Sequence, residues 1–129
     1  MPIPPPERPL PPEHPGAARF PKNLRDLIGW SATRVTQEVG APDSQHAGDK
    51  WFIKDDGLGQ RYMRQHDGRI IPQHWFGPRA PQGIALGQAY AVWRYNNYGR
   101  GSVGLLYLID SPEGQVVVDV DAYPINAVF

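Results

Sequence analysis

A chain of 129 residues with 13 basic and 13 acidic side chains, no cysteine and 40% hydrophobic residues suffices for one core and has zero formal net charge. That balance, with Arg scattered along the chain, argues against capture by nucleic acid or an anionic membrane. Without cysteine there are no disulfides, thiolate metal centres or thiol nucleophiles, and with no apolar run of bilayer length the chain reads as soluble, with no direct membrane insertion.

Most of the 15 prolines lie between Pro2 and Pro21. Such density removes backbone donors and favours extended polyproline II structure, so residues 1–20 are expected to be a disordered arm and residues 21–129 a single α+β domain. The segment Arg8 to Pro12 resembles a ligand for proline-recognising domains, but His14 stands where a second ridge proline is needed. The N-terminal stretch lacks the apolar region of a signal peptide, so a cytoplasmic location is expected, or the envelope if a targeting segment was removed.

Pro21 suits the first turn of a helix in which Leu24, Leu27 and Ile28 share a face until Gly29 stops it. Ser31 is the expected N-cap of a second short helix from Ala32 to Val39, with Trp30 placed to staple onto Val35. Gly40 supplies the left-handed C-terminal position and Pro42 forbids continuation. Beyond Asp43, Trp51 to Ile53 reads as a strand, and Tyr62 to Gln65, Asp67-Gly68 and Arg69 to Ile71 read as a hairpin ended by Pro72. Residues 73–87 read as a loop rich in Pro and Gly. Tyr90 to Tyr95, Val103 to Ile109 and Gln115 to Val120 are expected to form a three-stranded antiparallel meander. Its turns fall at Asn97 to Gly101 and Ser111 to Gly114. Alternation places Val116, Val118 and Val120 on one face and Asp119 and Asp121 on a solvated one, so two short helices covering one face of the meander, with an inserted hairpin and loop, is the expected α+β fold.

The stretch Gly29 to Asp43 ending in Gly40-Ala41-Pro42, the Trp93-Arg94-Tyr95 strand, Leu106 to Asp110 and Gly114 to Val117 together resemble the BamE (SmpA/OmlA) lipoprotein-like family. The resemblance spans residues 24–43 and 90–120, about half the chain. It implies a helical pair followed by a sheet, and a role in protein recognition or envelope assembly. The family's lipid-bearing cysteine is absent, and residues 44–88 form an insertion between the helices and the Trp-x-Tyr strand.

Signatures of chemistry are few. Gly99 to Gly104 satisfies GxGxxG, but a strand rather than a helix is expected after it, which makes it a hairpin turn. His14, His46, His66 and His74, with Asp49 and Asp67, lack the paired spacing of a metal site. Asp119 and Asp121, roughly 7 Å apart by strand geometry, have no sequence-adjacent base. No catalytic residue, metal or cofactor is therefore assigned. The excess of aromatic residues points instead to binding, with Trp75 and Phe76 as an exposed anchor and Arg79 beside them. The sequence favours a protein-recognition or assembly module with a protein partner. The alternatives are a small-ligand domain or small hydrolase-type enzyme with a His/Asp pocket, marked by a cleft holding His66, His74, Asp119 or Asp121, and a structural tether using the arm.

Overall fold

A computed structural model describes residues 10–73 and 79–125. The chain is mixed α+β, with one α-helix and seven strands in two antiparallel sheets among the described residues. The expected first helix is a single 3-10 turn, Leu24–Leu27, because the Asn23 side chain caps it late by accepting from the Arg25 N–H, and Gly29 follows with φ of 95°. The second is α1, Ala32–Glu38. Ser31 caps it by accepting from the Arg34 N–H at 3.1 Å, and Gly40 takes a left-handed φ of 97°.

Strands β1 (Ser44–Ala47), β5 (Ala91–Tyr95), β6 (Ser102–Ser111) and β7 (Gly114–Pro124) form the main sheet in the order β1-β5-β6-β7. The meander β5-β6-β7 is as expected, whereas β1 is an addition. Ser44 to Ala47 carries no apolar alternation, and all four residues are exposed, so only pairing with β5 reveals a strand. Strands β2 (Lys50–Asp55), β3 (Arg61–Gln65) and β4 (Ile70–Pro72) form the second sheet, in sequence order. The expected strand at Trp51 and the expected hairpin are thus one structure. Residues 99–104 make the β5–β6 turn and the start of β6, as a hairpin requires, with Gly99, Arg100 and Gly101 all at positive φ.

The helices cover one face of the main sheet. Leu24, Leu27, Val35 and Val39 pack with Trp93, Tyr95, Leu106, Leu108, Val117 and Val120, all of them buried. Burial of each fully enclosed Leu or Val side chain contributes about 1.5–3 kcal/mol. The expectation that the other face is left to solvent is overturned. Val103, Leu105, Tyr107, Val92 and Tyr90 form a second cluster there, closed by Ile84 and by Trp51 of β2. The facing of β7 differs too, through a β-bulge: β7 slips register between Tyr107 and Leu108 of its partner, so Asp119 pairs with Tyr107 while Val117 pairs with Leu108. Val118 is the extra residue, and strict alternation of Val116, Val118 and Val120 fails across it.

The described part of the arm begins at Leu10 and is tied to the domain ahead of Pro21. The His14 N–H donates to the Asn97 carbonyl at 2.8 Å, and the buried Asn97 amide donates to the Pro11 carbonyl at 2.9 Å. The rings of His14 and Phe20 each meet the Tyr95 ring edge-on at 5.0 Å, and the Tyr95 hydroxyl donates to the Gly40 carbonyl. Aromatic contact thus anchors a segment whose proline content prevents regular structure.

Candidate binding site

The polar centre of the second face lies on β7. Asp119, paired with Tyr107 on that face, is only 3% exposed, and its carboxylate meets Arg79 of the loop that covers it. Arg79 donates from one terminal nitrogen to both Asp119 Oδ1 at 3.0 Å and the Val120 carbonyl at 2.8 Å, and its other terminal nitrogen lies 2.9 Å from Asp119 Oδ2. The Gln82 N–H donates to the same carboxylate at 2.9 Å. Asp121 accepts from the Arg79 backbone N–H at 3.3 Å, and the Tyr107 hydroxyl donates to the Arg79 carbonyl at 3.1 Å. Arg79 therefore holds the returning loop onto β6 and β7 from both its side chain and its backbone.

Electrostatics follow from this packing. Burial pulls the Arg79 pKa down, but the Asp119 hydrogen bond and the charges of Asp119 and Asp121 outweigh it and leave the guanidinium more basic than usual. Burial pushes the Asp121 carboxyl above the ordinary carboxylate range, against the opposing backbone hydrogen bonds from Arg79 and Ala122 and the Arg79 charge. Burial likewise raises the Tyr90 phenol to about 12 and drives Tyr107 further upward.

Arg79 forms part of the wall of two cavities. One, of about 400 Å³, opens toward the helices between Lys22, Arg25, Tyr98 and Asp121. The other, smaller at about 120 Å³ and more enclosed, lies over the second face between Tyr90, Arg94, Tyr107 and Tyr123, with His46, Asp49 and Lys50 at its rim. A third depression, about 340 Å³, runs beside β1 along Gln45, Ala47, Ala91 and Leu108.

Of the site residues expected from sequence, Trp75 and Phe76 lie outside the described residues, as does His74. Arg79 is described, with its side chain 21% exposed and engaged with Asp119. His66 sits in the exposed β3–β4 turn and lines none of the three cavities. Asp119 and Asp121, expected on a solvated face, are brought together around Arg79 instead, because the loop carrying Arg79, Gln82 and Ile84 removes that face from water.

No protein-family model, curated protein or solved structure matches this chain. Nothing in the sequence alone singles out Arg94, Tyr107 or Tyr123. Alternation in β5 does place Arg94 opposite the inward-facing Trp93 and Tyr95, but a face assumed to be solvated gives no reason to choose it. Among the described residues no helix is long and apolar enough to cross a membrane, and no cluster of three or more His, Cys, Asp or Glu side chains could hold a metal ion.

Proposed function

We propose that the chain is a non-catalytic protein-recognition or assembly module that pairs an extended segment of a partner with the open edge of β1. The observation that carries this reading is the edge itself. Ser44 to Ala47 closes one side of the four-stranded sheet with all four residues exposed, and no described strand pairs with its outer side. The Gly48 N–H bonds the Tyr90 carbonyl, so antiparallel alternation directs His46 toward β5 and turns the N–H and C=O of Gln45 and Ala47 outward. Such an edge is a template for strand addition, and the 340 Å³ depression alongside it offers room for partner side chains. Two further apolar residues project from the second sheet: Leu58 at the β2–β3 turn is 91% exposed and Ile70 on β4 is 63% exposed. Trp75 and Phe76 belong to the same reading as a second contact, with Arg79 serving through its pair with Asp119 to anchor the chain that follows them. The BamE-like resemblance does too, supported by helical turns followed by the β5-β6-β7 meander.

The test is selection of extended peptides from a displayed library on the wild-type domain, followed by binding to Gln45→Pro and to the Trp75→Ala, Phe76→Ala double variant. A proline whose missing N–H faces outward leaves the β1–β5 ladder intact and removes one donor from the edge. Loss of binding by folded Gln45→Pro, with shifts of the Gln45 and Ala47 amides in the wild type, is the expected result. Selected peptides that bind Gln45→Pro as tightly as the wild type sink the edge-strand reading. Retention by the double variant alone removes the loop contact from it.

A further inference from the structure

We propose that the enclosed cavity on the second sheet face binds one small oxyanion, with the Arg94 guanidinium as its main ligand and Lys50 and His46 at its entrance. The proposal does not rest on the strand-edge reading, although His46 of β1 stands at the rim of this cavity.

The inference rests on a charge inventory. Three cations line the cavity, and one is fully answered within the fold. Arg79 is paired with buried Asp119 at 2.9 Å and approaches Asp121, whereas Lys50 at the rim makes only an exposed contact of 3.4 Å with Asp49, which leaves its charge able to meet an anion. Arg94 is different. Its Nε donates to Asn96 Oδ1 at 2.9 Å and one terminal nitrogen donates to the Tyr123 hydroxyl at 2.6 Å, both neutral acceptors. Its guanidinium lies 5.9 Å from the centre of the Tyr123 ring. Among the described residues no carboxylate stands within 4.0 Å of it. A guanidinium carries five N–H donors and stays protonated at any physiological pH, so two neutral acceptors leave the charge and most of the donor fork uncommitted.

The surroundings sharpen this. Arg94 is half-buried, and Val92 and Leu105 supply apolar wall to the cavity, which strengthens attraction to an anion relative to open water. The tyrosine hydroxyls of the wall are otherwise engaged. Tyr90 is bonded to the Lys50 backbone and Tyr107 to the Arg79 carbonyl, so the fork of Arg94 is the free recognition element and the rings shape the cavity around it. A volume of about 120 Å³ admits a compact group such as phosphate, sulfate or a short carboxylate, and falls below the roughly 300–1,000 Å³ of pockets that enclose larger ligands. A planar fork facing an oxyanion is the pairing in which Arg excels.

The experiment titrates the whole domain with sodium phosphate, sodium sulfate or sodium acetate at constant ionic strength made up with chloride, following the amide resonances of Ala91 to Tyr95. Saturable shifts with at least one of the three, weakened about tenfold or more in Arg94→Gln and unchanged in Arg69→Gln, are expected. Arg69 is the control because it is an exposed cation paired with Asp67 outside this cavity. Response to phosphate and sulfate alone identifies a tetrahedral oxyanion, and response to acetate as well identifies a site that also takes carboxylates. Lys50→Met, at the rim, keeps the test open if Arg94→Gln does not fold, and weaker binding is expected there too. No saturable shift with any of the three, or equal affinity in the wild type and the folded Arg94 or Lys50 variant, overturns the proposal.

Discussion

Replacing Asp119 by alanine tests the account of the second sheet face most directly. The side chain is 4% exposed and meets the Arg79 guanidinium with both oxygens, while also accepting from the Gln82 N–H. Its removal strands a cation whose side chain is 21% exposed. Breaking a buried pair from one side typically costs 3–5 kcal/mol, and the partial exposure of Arg79 and its remaining neighbour Asp121 put the expected loss at about 3 kcal/mol. With a urea dependence of about 1.5 kcal/mol/M, the unfolding midpoint falls by about 2 M at unchanged slope. Asp67→Ala is the matched control, because its Arg69 partner is 73% exposed, and the midpoint is expected to stay in place. Arg79→Met combined with Asp119→Ala is expected to recover part of the loss, with a coupling of about 2 kcal/mol. A midpoint drop below about 0.5 M for Asp119→Ala, or strictly additive single and double variants, refutes the clamp.

Two further outcomes are expected. A Cβ at residue 16 lies 1.7 Å from the Val39 carbonyl, and Val39 is fully buried, so Gly16→Ala is expected to lift the segment from His14 to Phe20 away from the helix end. The cost is about 2 kcal/mol, read as lost amide protection at His14, Ala17 and Arg19; unchanged protection contradicts the docking. Burial raises the phenols of Tyr90, to about 12, and of Tyr95 and Tyr107. Folded-state pKa values above the unfolded value of about 10 make the native state bind more protons, so this contribution to stability is intact below about pH 10 and is lost as pH rises from there through about 12. Phenolate absorbance from these residues is expected to appear together with loss of the circular dichroism signal, and ionisation ahead of unfolding counts against their burial.

Local chemistry made much of the fold legible. Ser31, Gly40 and Pro42 bound α1 by rules acting within a few residues, and the meander is written in alternation and turn residues from Tyr90 to Val120. Trp93 and Tyr95, two positions apart on β5, share the helix-covered face as strand alternation requires, and both are buried. The 3-10 turn at Leu24 shows the limit of such rules, since a shared apolar face does not distinguish a full helix from one tight turn between Asn23 and Gly29.

The candidate site was far less legible. Nearness in sequence makes Arg79 a companion of Trp75 and Phe76, yet its described contacts run to Asp119, Asp121 and Tyr107, residues 28–42 positions away in the chain. Nothing local announces such pairings. His46 and Arg94 share a cavity only because β1, a strand without apolar pattern, pairs with β5.

The sequence by itself determined the α+β class, the bounds of α1 and the three-stranded meander, because capping, periodicity and turn preferences act between residues close in the chain. Tertiary structure alone decided that β1 joins the sheet, that the inserted segment builds a second sheet, and that the loop carrying Arg79 and Gln82 buries Asp119. Each of these depends on which distant backbone supplies the hydrogen-bond partner and which surface loses its water, and neither quantity exists until the chain has closed on itself.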